Sequence, residues 1–305
     1  MTDPASSPSE PSAATSALAS VLCGVVGAGI GLLPWWVEGI TLPLQNIWAT
    51  ETMPDAMPLA LLPFSQYYVT TIAAMLVMGG AVAGAAQRWL LDRWGAGRRN
   101  LVTAGLAATQ VVCVAQAAVV TGGGLEDSSR ASVYLAGLVL AALVSVAVAV
   151  AVQRGLAGRG SAAVVLAATA GALALGMWIS ALVAATWGIV GTPPSWLYGL
   201  ATWLPSIIVG VAIGVCGVAT ARRAVGAATS LLALWALPAL ATALSYAVGS
   251  RIYLQNPAEL VPAGLQVLGM ALGPDGGAPQ RILIAVAVGV TTWTVRRTLA
   301  RRTGH

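Results

Sequence analysis

Residues 67–99 read YYVTTIAAMLVMGGAVAGAAQRWLLDRWGAGRR, in which twenty-one uncharged residues are followed at once by Arg88, and then by Arg93, Arg98 and Arg99. A helix needs roughly 20 such residues to cross about 30 Å of hydrocarbon. A basic connection directly after it marks the side of a membrane on which positive charge collects. The chain repeats this pairing, and the repetition decides the fold.

Eight windows have the required character, at 14–33, 67–86, 101–120, 133–152, 162–190, 204–218, 225–246 and 282–295. The sixth and eighth are short and draw on their flanks; the fifth is long enough to tilt. The expected fold class is all-α, a polytopic transmembrane helix bundle of about eight spans, with seven and nine as the neighbouring counts. Composition agrees: 58% of residues are hydrophobic and 8% charged, whereas soluble domains carry about 25% charge. A soluble protein of this length could not cover its outside with so few polar residues.

Arginine placement tests the count. After the second span come the four arginines quoted above, after the fourth Arg154 and Arg159, after the sixth Arg222 and Arg223, and after the eighth Arg296, Arg297, Arg301 and Arg302. The opposite side receives only Arg130, Arg251 and Arg281, together with Glu38, Glu51, Asp55, Glu126, Asp127, Glu259 and Asp275. The rich side is then cytoplasmic, and both chain ends lie on it. Most tryptophans fall at span ends, the depth an indole prefers; Trp178 and Trp235 lie deeper. The abundance of arginine and alanine with no lysine points to a GC-rich bacterial genome, hence to a bacterial plasma membrane.

The expected organisation is a disordered cytoplasmic tail at 1–13, a bundle at 14–295 and a basic cytoplasmic tail at 296–305. Two outer loops, at 34–66 and 249–281, exceed what a connection requires, and long loops often carry function. In the second, Asn256-Pro257-Ala258-Glu259 has the order of a helix start, with an N-cap, proline at the first helical position and an acid two residues on. The apolar stretch to Leu272 is too short to span, so an interfacial or re-entrant helix is expected there. Pairs of small residues four apart, Gly27 with Gly31, Gly80 with Gly84 and Gly210 with Gly214, allow close backbone approach in a compact bundle. Double arginines precede the third and seventh spans, which suggests a 4+4 tandem repeat, although the residue-level match between halves is poor.

The candidate site residues are Glu38, Gln110, Trp178 and Trp235. Glu38 is the acid nearest the membrane. It is expected to lie against the loop helix near 256–272, unless it simply faces water. Gln110 and Gln116, six residues apart on the third span, lie on faces roughly 120° apart. Their plain reading is interhelical hydrogen bonding, as it is for Ser180 and Ser230. Pro238 is expected to kink the seventh span. No ionisable residue falls near the centre of a span, which argues against a proton-coupled pump. Cys23, Cys113 and Cys216 stand singly in apolar stretches, and the only histidine is His305, so neither a metal nor any other cofactor is expected.

No Walker, Rossmann, zinc, rhomboid or nucleic-acid signature is present. Two functional readings remain: a permease-like or lipid-handling protein with an outward-facing site for a small molecule or lipid, and a non-transporting subunit that docks another membrane protein. A cavity lined by Gln110, Trp178 and Trp235 is the arrangement expected of the first. The acids of the first outer loop are similar, in placement only, to those of lipid-linked sugar transferases, where a carboxylate acts as general base. No motif or partner base accompanies them, so an enzyme is the lesser expectation. The bilayer is the one certain partner, and no nucleic acid is expected.

Overall fold

The computed structural model describes residues 13–91, 98–188, 191–249, 257–273 and 276–302. Nine α-helices are present among them: α1 Ala13–Glu38, α2 Val69–Ala86, α3 Arg99–Gly124, α4 Ser129–Leu156, α5 Ser161–Trp187, α6 Ser195–Cys216, α7 Ala221–Gly249, α8 Pro257–Leu272 and α9 Ala278–Arg302. All except α8 are long and apolar enough to cross a membrane. The protein is an all-α, multi-pass membrane bundle. Of the expected tail at 1–13, residues 1–12 lie outside the described residues, as do the cap at Asn256 and His305, while Ala13 already belongs to α1.

Helix ends differ from the apolar windows for physical reasons. Pro34, expected to begin the first loop, lies inside α1, which runs on to Glu38. Proline cannot donate to the carbonyl four residues back and its ring crowds that turn. One residue further on, the Gly31 carbonyl accepts the Trp178 indole N–H at 2.9 Å, so this turn is held from outside the helix. The short sixth window lengthens at its N-terminal side, where the aromatic-rich stretch 195–203 is helical, and the eighth lengthens because the arginine-bearing residues on both its flanks stay helical. Helix α2 ends in a π-helical turn, Gln87–Leu91.

The helices form two units with the same packing scheme. In the first, α1 packs on α2 and α3, and α4 closes against α2 and α3. In the second, α5 packs on α6 and α7, and α9 closes against α6 and α7. The glycine pairs occupy matching places. A Cβ on Gly80 or Gly84 of α2 would strike the backbone of Ala149 or Gln153 in α4; one on Gly210 or Gly214 of α6 would strike the backbone of Ala285 or Gly289 in α9. Helix α5 joins the units by resting on α1, α2 and α4. The two sets of four helices thus share a contact pattern of the kind a 4+4 repeat requires, with small side chains at the centre of each close crossing.

The units differ at the end away from the arginine-rich connections, here the loop end. In the first unit, residues 39–65 fold down as a plug. Leu42, Met57, Leu62 and Phe64 are buried with Trp35, Ile72 and Met75 of the helices. The plug is pinned by polar ties: Trp35 Nε1 donates to Ala60 O at 2.7 Å, Gln116 Oε1 accepts from Leu61 N at 2.7 Å, and Tyr134 Oη donates to Gln45 Oε1 at 2.8 Å. One side of this segment is thus packed into the core through Leu42, Met57, Leu62 and Phe64, while its tip at 49–56 stays largely exposed.

Among the described residues, the second unit has no such plug. Helix α8 instead runs back along α7, with Gly264 beside Ala247 and the Leu272 carbonyl accepting Trp235 Nε1 at 3.1 Å. Trp235 is midway along α7, so α8 ends at mid-depth, and α9 carries the chain on from there toward the arginine-rich end; α8 is the outer part of a broken span, neither interfacial nor re-entrant as expected. Trp235 serves to satisfy a free carbonyl at the end of α8, where the bilayer offers no water.

Candidate functional site

Helix α9 starts deep because α8 has taken the outer part of its path. Ala285 and Gly289 lie beside Gly210 and Gly214, so α9 runs parallel to α6 in a register that puts Arg281 level with Ser206. At 1.5 Å per residue, that level is roughly 16 Å below the start of α6. Arg281 therefore occupies the middle of the second unit. The sequence reading assigned it to an outer loop, since it directly precedes an apolar window. The α6–α9 register overturns that placement, and with it the expectation that no ionisable residue lies near the centre of a span.

Beside Arg281 is a cavity of about 460 Å³, bounded by α5, α6, α7 and α9 with Thr71 of α2 at its edge. Leu173, Met177, Pro205, Leu234 and Pro238 give it apolar walls; Ser180, Thr202 and Thr71 bring hydroxyls. Ser180 and Thr202 donate to carbonyls of their own helices, Gly176 O and Tyr198 O, and so offer acceptor or secondary contacts. Among the described residues, no acid lines the cavity and none pairs with the half-buried guanidinium. At the same level the Ser206 and Ser230 hydroxyls, fully buried, have no partner either.

The four candidates from sequence lie elsewhere, and none lines this cavity. Glu38 is exposed at the end of α1, where its Oε1 accepts the Tyr68 hydroxyl at 3.0 Å. Helix α8 rests on α7 and not on α1, so Glu38 is not held against it as expected. Gln110 is fully buried between α3 and α2, with Nε2 donating to Leu76 O at 2.8 Å and Oε1 without a partner. Trp178 ties α5 to α1, and Trp235 caps α8. Gln110 and Gln116 do point to different partners, α2 and the plug, as their spacing requires.

Sequence reasoning missed Arg281, Met177, Pro205 and Thr202. A signal was present for Arg281: it is a lone arginine at the loop end, directly abutting a span that was too short. Among the described residues, no group of three or more metal-ligating side chains occurs. No protein-family pattern, curated protein or solved structure matches the chain.

Proposed function

We propose that this chain is a permease-like or lipid-handling protein of a bacterial plasma membrane, with the cavity beside Arg281 as its site. The carrying observation is a guanidinium at mid-depth on the wall of a cavity, with no partner and no other charged side chain beside it among the described residues. A charge in that place is expensive unless something meets it, and such residues mark substrate paths. The arginine alternation supports an orientation with both chain ends in the cytoplasm, which sets the cavity in the outward half of the second unit. The apolar walls with one cation and several hydroxyls fit an anionic amphiphile, its acid on Arg281 and its hydrocarbon along Met177, Leu173 and Leu234.

The test is gentle purification followed by mass spectrometry of co-purifying small molecules and lipids. An acidic amphiphile in near-stoichiometric amount is expected; recovery of neutral lipids alone would remove the reading. Orientation has its own expected outcome. A single cysteine at position 95, in a chain lacking the three native cysteines, should resist an impermeant thiol reagent in intact cells and react after lysis.

A docking subunit is the second reading, and one observation favours it. The ordered plug presents Met53 at 70%, Leu59 at 60% and Leu44 at 50% exposure, a rigid apolar surface beyond the helices of the kind that partners cover.

A further inference from the structure

At the arginine end of the second unit lies a cleft of about 590 Å³, independent of the cavity above it. Five guanidinium-bearing residues border it: Arg88, Arg159, Arg223, Arg296 and Arg297. They arrive from four places, the π-turn after α2, the α4–α5 connection, the first turn of α7 and the end of α9. Among the described residues, no acid lines the cleft.

Two of the five are fixed by the protein. Arg88 Nη1 donates to the carbonyls of Leu156 and Gly158, each at 3.1 Å, and Arg296 Nη1 donates to Val215 O. These carbonyls lie at the ends of α4 and α6, where helix acceptors are free. One nitrogen of each group is thus anchored, which leaves the rest of the fork available. Arg297 lies 4.0 Å above the Trp293 ring. The guanidinium groups of Arg159 and Arg223 have no partner among the described residues.

Charge excess alone does not explain this grouping. In the first unit, arginines at the same end are spent on protein acceptors, Arg99 on Ala157 O and Arg154 on Asn100 Oδ1. In the second, five like charges from both units converge around a hollow with apolar walls at Val164, Gly214 and Val215. Their mutual repulsion is offset when a multivalent acceptor sits between them. A phosphate presents several oxygens to such forks, and basic recesses between helices at a membrane surface suit lipid headgroups. The apolar walls and the tryptophan at this depth favour a phosphate that brings hydrocarbon with it.

We propose that this cleft binds the phosphodiester headgroup of an anionic phospholipid. The test is native mass spectrometry of the full chain released from nanodiscs that contain equal phosphatidylglycerol and phosphatidylcholine. The expected result is retention of phosphatidylglycerol at least tenfold over phosphatidylcholine. The double variant Arg159→Gln/Arg223→Gln, which removes two guanidinium groups without partners among the described residues, should lose most of that preference. Arg301→Gln/Arg302→Gln removes the same charge outside the cleft and should keep it. Equal retention of the two lipids, or equal loss in both double variants, would overturn the site in favour of diffuse surface attraction. Inorganic phosphate forms the last arm. Displacement of the lipid by low millimolar phosphate would overturn the lipid assignment and point to a soluble phosphate, whereas indifference to it supports the lipid.

Discussion

Gly80→Leu and Gly214→Leu are each expected to destabilise the protein severely, by about 3 kcal/mol or more, at the upper end of what overpacking a core does. The geometry leaves no room: a Cβ at Gly80 would fall 2.2 Å from Ala149 O, and one at Gly214 2.6 Å from Gly289 O. Backbone cannot step aside as a flexible side chain can, so α2 and α4, or α6 and α9, must move apart. Separation forfeits the close packing that holds helices together in lipid, where the hydrophobic effect does not act between them. Gly137, with open space around its Cβ, is the control position and should tolerate alanine. Thermal unfolding in detergent, followed by loss of monodisperse protein, is the measurement. Wild-type stability in either leucine variant would mean that these crossings are not as close as described. The Gly214 variant carries a second expectation, because its crossing sets the depth of Arg281. Ligand retention should fall even in the fraction that stays folded.

Arg281→Gln should behave in the opposite way. It keeps a polar side chain of similar reach and removes a charge that no group among the described residues meets. A charge-assisted hydrogen bond contributes about 1.5–3 kcal/mol, so retention of an acidic ligand should fall tenfold or more. Stability without ligand should stay level or rise, since a desolvated, unpaired charge is unfavourable in the folded state. That combination separates a binding residue from a structural one. If Arg281→Gln unfolds the bundle, the arginine supports the fold. If the variant retains the acidic ligand at the wild-type level, the cavity is not where the ligand's acid binds.

Much of the architecture was legible from residues alone. The hydrocarbon core forces every backbone group to be satisfied within its own helix, so local composition suffices to locate spans such as 133–152 and their alternation. Helix α8 was legible for a similar reason: Pro257 and Glu259 have a local preference for a helix start, and the stretch to Leu272 is too short to cross. The glycine pairs announced close crossings, and the arginines announced which connections share an end.

The cavity was not legible, because its position follows from contacts distant in the chain. Arg281 reads as a loop residue until Ala285 and Gly289 are seated on Gly210 and Gly214; that crossing alone sets its depth. The plug depends on Gln45 meeting Tyr134 and on Gln116 meeting Leu61, pairs that no periodicity links. Gln110, Trp178 and Trp235 were rightly read as polar groups at depth. Whether such a group meets a ligand or a neighbouring carbonyl depends on the helix that lies opposite, which local sequence does not encode. The sequence by itself determined which segments enter the membrane, since that is a transfer energy summed over adjacent residues. The tertiary structure decided which unit is filled and which is hollow, since that rests on how separate helices are set in register against one another.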